Sequence, residues 1–270
     1  MARKDHEMTP TERQMRTFGG LRKIVATLRG PDGCPWDRAQ SHRSLLPYMA
    51  EEASEAIDAI DEDDADALKE ELGDLLLQIL LHTQIAEEAR EFRIGDVIES
   101  IAEKLVRRHP HVFDQAVAET PDAVIEQWED IKSKERNGAS ALTGIPSALP
   151  ALAQAQTVQR RAGHAGFQWE SDEQAWKALD EELAELRAAN TAEQRRAEAG
   201  DAFFALANVA RLMEVEAEEA LRATTRRFGS LFRAVEDMAS EQSVDLRKAD
   251  LETKLAMWEE VKKRSLKQKV

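Results

Sequence analysis

The strongest pattern in the chain is an apolar run entered through acidic residues. Glu71-Leu72-Gly73-Asp74 leads into Leu75, Leu76, Leu77, Gln78, Ile79, Leu80 and Leu81. As a helix, this run is apolar almost all round, with Asp74 and Gln78 (i, i+4) as its polar stripe. A carboxylate in apolar surroundings costs several kcal/mol unless it is paired or bound to a cation, so Asp74 needs a partner. The preceding stretch, Ser44 to Ile60, reads as a helix bearing Glu51, Glu52 and Glu55, and the acidic segment Asp61–Asp66 makes the turn into a helix from Ala67 to about Arg90.

The same periodicity marks further helices. Leu21, Ile24, Val25 and Leu28 form the first amphipathic stripe. Gly30-Pro31-Asp32-Gly33-Cys34-Pro35-Trp36-Asp37 breaks it with two prolines and two glycines, and is expected to be a loop. Asp96–His109 presents Val97, Ile98, Ile101, Leu105 and Val106 as an apolar side and stops at Pro110. Pro121 to Arg136 follows Thr120 as N-cap, with Val124, Ile125, Trp128 and Ile131 inward.

The second half then repeats the first. Glu181-Glu182-Leu183-Ala184-Glu185 matches the EExxE of Glu51 to Glu55, and Glu198-Ala199-Gly200-Asp201 matches Glu71 to Asp74. Gly166-Phe167-Gln168-Trp169-Glu170 echoes the earlier loop, and the Trp258 and Lys262 pair echoes Trp128 and Lys132. Glu55 and Glu185 are 130 positions apart, Asp74 and Asp201 127, and Trp128 and Trp258 130. No strand-type alternation competes, so the fold class is all-α, a tandem repeat of two helical bundles. The expected limits are a polar arm over 1–17, a first domain over 18–136, a linker over 137–150 and a second domain over 151–265.

Composition narrows the function. With 33% charged residues, few aromatics and a formal net charge of −15, the chain suits helices and is a poor clamp for a phosphate backbone, so nucleic acid is not expected as its main ligand. Cys34 is the only cysteine, which leaves no internal disulfide and no multi-cysteine metal site. The charged first residues hold no apolar signal core, and no run approaches the roughly 18 apolar residues that span a bilayer. A cytoplasmic protein is the expectation.

Four carboxylates, two per helix, converge if the adjacent helices pack antiparallel. Such oxygen-only sets suit Mg²⁺, with Mn²⁺ as a substitute. An isolated EExxE is usually a solvated face, but this one is followed by ExxGD, opens an apolar helix and occurs twice. His109 and His111 flank a helix-ending proline, His82 suits packing or capping, and Cys34 has no nearby His–acid pair. Trp36 and Trp169 suit closing the domain core better than stacking a base.

EExxE and ExxD on neighbouring helices, with GCPWD upstream and KLVRRHPHVF downstream, resemble the MazG family of nucleoside triphosphate pyrophosphohydrolases over about residues 18 to 265. The resemblance implies Mg²⁺-dependent hydrolysis of nucleoside triphosphates to monophosphate and pyrophosphate, broad base tolerance and a homodimer. It assigns the metal and catalytic roles to Glu52, Glu55, Glu71 and Asp74, and to Glu182, Glu185, Glu198 and Asp201. Substrate contacts fall to Lys104, Arg108, Trp128 and Lys132 in copy one, and to Asn208, Arg227, Trp258 and Lys262 in copy two. The copies differ: Ser230 and Leu231 stand where copy one has Arg107 and Arg108, and Ala178 stands where relatives with a working second copy carry lysine. A narrower pyrophosphohydrolase of the same superfamily (for dUTP, dCTP or phosphoribosyl-ATP) and a non-catalytic helical interaction module are the alternatives.

Overall fold

The computed structural model describes residues 15–117, 120–135 and 138–267. The polar arm expected over 1–17 lies, up to residue 14, outside them. The described residues form twelve helices and no strand. They divide into two compact units between Val124 and Ile125, inside a helix and ahead of the linker expected at 137–150.

The first unit begins with α1 (Phe18–Arg29), whose N-cap Thr17 accepts from the Gly20 amide at 3.1 Å. The expected loop after it contains a short helix, α2 (Pro35–Ala39), because Pro35 at its first turn fits helical φ and lacks only an amide that would go unused there. Gly33 crosses the end of α1 so closely that a Cβ would lie 2.1 Å from the Leu28 carbonyl oxygen, so only glycine fits. The acidic hairpin follows as α3 (Leu46–Asp61) and α4 (Ala65–Ala89). Asp63 takes positive φ in the turn, and the Asp64 carboxylate caps α4 by accepting from the Asp66 and Ala67 amides, both at 3.0 Å.

Val25, Leu45, Leu80, Leu81 and Ile94 make the core between α1, α4 and the start of α5 (Ile94–Arg108). The apolar run of α4 is thus split: Leu80 and Leu81 are buried, Ile79 is exposed, and Gln78 is buried in its stead. On α5 only Val97 packs inward as expected, while Ile98, Ile101, Leu105 and Val106 stay about half exposed. Pro110 ends α5 and opens the short α6 (Pro110–Phe113). Arg29 binds this unit together. Its buried guanidinium pairs with Glu88 of α4 at 2.8 Å and donates to the carbonyls of Asp37 and Gln40, holding the α2 loop.

In α7 (Pro121–Glu135) Thr120 caps the first turn as expected, but Ile125 is half exposed rather than inward. The second unit contains α8 (Ala151–His164), the acidic hairpin α9 (Asp172–Ala188) and α10 (Ala192–Leu212), then α11 (Ala217–Glu241) and α12 (Leu251–Lys267). Thr191 and Gln194 form a reciprocal capping box at the start of α10. The α9–α10 core is Ala175, Leu179 and Val209, and the α11–α12 core is Val235, Met238, Ala239, Met257 and Val261. Buried Gln156 of α8 donates to the Ala207 and Val215 carbonyls and accepts from the Ala217 amide, tying α8 to the turn between α10 and α11.

Candidate functional site

Antiparallel packing of α3 on α4 turns the EExxE and ExxD spacings into a cluster. Carboxylate oxygens of Glu52, Glu55 and Glu71 all lie within 4.8 Å of one another. The second hairpin does the same with Glu182, Glu185 and Glu198. The two aspartates sit at the edge of these triads. Asp74 is half-buried and Asp201 exposed, and each acts on its cluster through its charge.

That charge is visible in the acidities. Burial first, then the charges of Asp74 and Glu55, raise the Glu52 pKa above the ordinary carboxylate value, and the Gln78 amide pulls it partly back. Burial and the charges of Glu55 and Asp74 raise Glu71. Burial, Asp201, Glu185 and Glu198 raise Glu182, with nothing opposing. Like charges held this close disfavour ionisation, and a cation among them reverses the sign. An all-oxygen donor set of this kind suits a hard divalent ion. Buried beneath the first cluster, the Gln78 oxygen has no hydrogen-bond partner, so the floor of the site has a polar group to spare.

The other predicted residues are placed less uniformly. On α5, Lys104 is exposed and Arg108 half-buried, one turn apart. Trp128 and Lys132 meet as a cation–π pair, with the ammonium 5.4 Å from the ring centroid, and both lie beyond the division between the units. In the second unit, Asn208 accepts from the Arg211 guanidinium at 3.1 Å, so its amide oxygen is engaged. Trp258 packs 5.1 Å from Phe228, beside exposed Arg227, and Lys262 lies 2.6 Å from Glu259. His109 donates to the Leu105 carbonyl at 2.6 Å, which is a helix-end role.

Trp36 and Trp169, read as core-closing, are instead about half exposed. Trp36 stands edge-on to Tyr48 at 5.7 Å, and Tyr48 precedes Glu52 by one helical turn. Sequence reasoning missed that pair, although the i, i+4 spacing of Tyr48 and Glu52 was a usable signal. It also missed the stacking of His82 on His42, with Nδ1 atoms 2.7 Å apart; forty positions separate them and no periodicity links them.

A model of the MazG nucleotide pyrophosphohydrolase domain matches residues 40–113, which contain the whole first set of carboxylates. A Thermotoga maritima protein named nucleoside triphosphate pyrophosphohydrolase/pyrophosphatase MazG is 41% identical over 91% of this chain and 95% of its own length. An Escherichia coli nucleoside triphosphate pyrophosphohydrolase is 38% identical over 93% of this chain and 99% of its own. Bacillus subtilis YabN, uncharacterized, is 45% identical over 91% of this chain but only 51% of itself. Likeness that runs end to end in both partners, on an all-α chain with two acidic hairpins, leaves one assignment: the chain belongs to the MazG family.

Proposed function

We propose that this chain hydrolyses nucleoside triphosphates to the monophosphate and pyrophosphate by attack of water at the α-phosphorus. Glu52, Glu55, Glu71 and Asp74, and their counterparts Glu182, Glu185, Glu198 and Asp201, hold Mg²⁺ or, in its place, Mn²⁺. The observation that carries this reading is the convergence of three carboxylates from two helices within 4.8 Å, twice in one chain. Bound Mg²⁺ would offset the charge of the triphosphate and raise the acidity of the attacking water. An acidic cluster without a cation repels a triphosphate, so the same residues that hold the ion also make substrate binding conditional on it.

Lys104 and Arg108, and Arg227 and Lys262, are the cations proposed for the outer phosphates. The half-exposed Trp36–Tyr48 pair, one turn from Glu52, supports a stacking platform for the base. Stacking accepts any base, which favours broad base tolerance. The exposed stripe Ile98, Ile101 and Leu105 (i, i+3, i+7) on α5 supports a homodimer, since about half of each side chain is left to water. A lone cysteine and a nucleotide substrate support a cytoplasmic setting.

The test is pyrophosphate release from a panel of ribo- and deoxyribonucleoside triphosphates with Mg²⁺. Three chains are compared: the parent, Glu52→Ala with Glu55→Ala, and Glu182→Ala with Glu185→Ala. Loss on the order of 10²- to 10³-fold in at least one double variant is expected, by analogy with removing a preorganised electrostatic group. Undiminished release in both would remove the carboxylates from the mechanism. A parent that releases nothing from any substrate would leave a helical interaction module.

A further inference from the structure

His42 and His82 are titratable side chains in contact that the carboxylate chemistry does not use. His42 stands exposed in the loop between α2 and α3, six positions from Trp36 and six from Tyr48. His82 is half-buried on α4, two turns beyond Asp74. Their rings lie within 10° of parallel, and their Nδ1 atoms are 2.7 Å apart. Two ring nitrogens at that distance share one proton: with none their lone pairs repel, and with two their N–H bonds do. The His82 Nε2 is buried without a hydrogen-bond partner, and an orphaned buried N–H is rarer than an orphaned acceptor. The shared proton therefore belongs on the His82 Nδ1, which donates to His42.

This bond ties the loop to the acidic hairpin. Arg29 holds the same loop from α1, through the Asp37 and Gln40 carbonyls, and Ser41 and Ser44 cap one another within it. Among the described residues, His42 to His82 is the loop's direct hydrogen bond to the helix that carries Glu71 and Asp74. In the chain, Trp36 and Tyr48, edge-on to each other at 5.7 Å, lie on either side of it. With Asp74 aligned on Asp201, His82 falls on Val209, a buried core residue with no side-chain nitrogen to share a proton.

Charged groups on the packed elements are engaged elsewhere. Arg29 of α1 pairs with Glu88, Arg93 ahead of α5 lies 3.8 Å from Glu87, and Glu52 and Glu55 of α3 converge on Glu71. Burial, then the charge of His42, lowers the His82 pKa from its ordinary 6.5.

We propose that His42 and His82 are positioning residues, a latch that holds the Trp36–Tyr48 platform in place beside the first acidic cluster and that a second proton opens. This inference rests on the platform receiving the base of the triphosphate. A proton taken from water onto the His42 Nδ1 faces the His82 N–H, so attraction becomes repulsion and the loop is released from α4. A lowered pKa in the folded chain makes the latch's contribution complete above pH 6.5 and lost as the pH falls toward the lowered value.

Calorimetric binding of an α,β-methylene nucleoside triphosphate with Mg²⁺ tests this on the full chain carrying Glu182→Ala and Glu185→Ala, so that the first cluster is read by itself. His42→Ala removes the latch, whereas His42→Asn keeps an acceptor where Nδ1 stands and takes up no proton there. At pH 8, His42→Ala is expected to raise Kd roughly three- to tenfold, about the worth of one hydrogen bond, and His42→Asn to leave it unchanged. At pH 5.5 the parent should weaken to the level of His42→Ala, while His42→Asn binds more tightly than both. Ratios taken at one pH cancel the titration of the carboxylates and of the ligand, which all three chains share. A constant ratio of His42→Ala to parent at every pH, with only Tm lowered, overturns the proposal and leaves the platform standing. No binding by the unaltered first cluster overturns the platform there, and the proposal with it. Should His42→Ala fail to fold, His42→Asn decides: a Kd that weakens toward pH 5.5 as steeply as the parent's overturns the proposal.

Discussion

The two acidic hairpins carry matching carboxylates on unlike foundations. In the first, Asp74 is followed by buried Gln78 and half-buried His82; in the second, Asp201 is followed by Ala205 and Val209, both packed in an apolar cluster. The second unit buries two glutamines of α8 instead: Gln156 satisfies the backbone of the α10–α11 turn, and Gln159 donates to the Phe204 carbonyl of α10. The ion pairs made by α1 and by α8 differ likewise. Arg29 meets Glu88 with side chains 5% and 40% exposed, whereas Arg160 meets Glu216 with side chains 45% and 63% exposed. In the first unit, polar groups are buried around the acidic hairpin and its entry loop. In the second, they reach the hairpin and the turn after it from α8, or are left in water. A duplicated motif thus preserves the ligands while the groups packed beneath them drift.

The largest expected effect breaks the comparison at the ion pairs. Arg29→Met removes the donor for Glu88 and for the carbonyls of Asp37 and Gln40 together, and leaves those acceptors part-buried. We expect a loss of roughly 3 kcal/mol, the lower end for one partner of a buried pair because Glu88 is partly solvated. That corresponds to a fall in Tm of roughly 6–12 °C for a unit of this size. Arg160→Met in the second unit is expected to cost about 0.5 kcal/mol or less, as exposed pairs do. Thermal unfolding of both variants checks the contrast, and equal losses would abolish it.

Much of this was legible in the sequence. The 3.6-residue stripes, Thr120 with Pro121, and Pro110 after α5 fixed the helices to within about two residues, because capping and proline chemistry act locally. The acidic triads were legible because i, i+3 spacing on two adjacent antiparallel helices admits few arrangements. Arg29 was not: its partner lies 59 positions away and nothing in the local pattern marks it. The exposure of Ile125, Ile98 and Ile101 was likewise hidden, because an apolar stripe states that a face seeks cover and not what covers it. Trp36 was misassigned to the core for a related reason. A tryptophan following a proline in such a loop says that the loop is anchored, and only the placement of Tyr48 shows that its ring stays at the surface.

The next effect sharpens the comparison through pH. A carboxylate whose pKa is raised on folding contributes stability that is complete below the unfolded value near 4.5 and is lost as the pH climbs through the raised one. A bound cation removes that penalty, so Mg²⁺ should stabilise the chain at pH 8, by about 2.7 kcal/mol at a hundredfold excess over its Kd, with a matching rise in Tm, and much less at pH 5, where protons compete. Gln78 opposes the rise at Glu52 and nothing opposes it at Glu182. The chain with only its first cluster should therefore hold its Mg²⁺-induced gain to lower pH than the chain with only its second. Melting curves of the two double variants between pH 5 and 8 read this directly, and superimposable profiles would show the floors to be irrelevant.

The smallest effect asks whether the two hairpins differ outside their floors. Gly73 and Gly200 precede Asp74 and Asp201 inside helices, and a Cβ at either would meet nothing within 4 Å. Both are exposed, and neither takes the positive φ that would require glycine. Within the chain itself each is thus a net loss of helix stability of roughly 0.5–1 kcal/mol relative to alanine. Gly73→Ala and Gly200→Ala should each raise Tm by roughly 1–3 °C, independent of protein concentration. If one of them instead lowers Tm, and more so in dilute solution, another molecule approaches the backbone at that hairpin and not at the other. The drift between the copies would then include which of them a second chain covers, since a methyl group that meets nothing within one chain can cost stability only by meeting its neighbour.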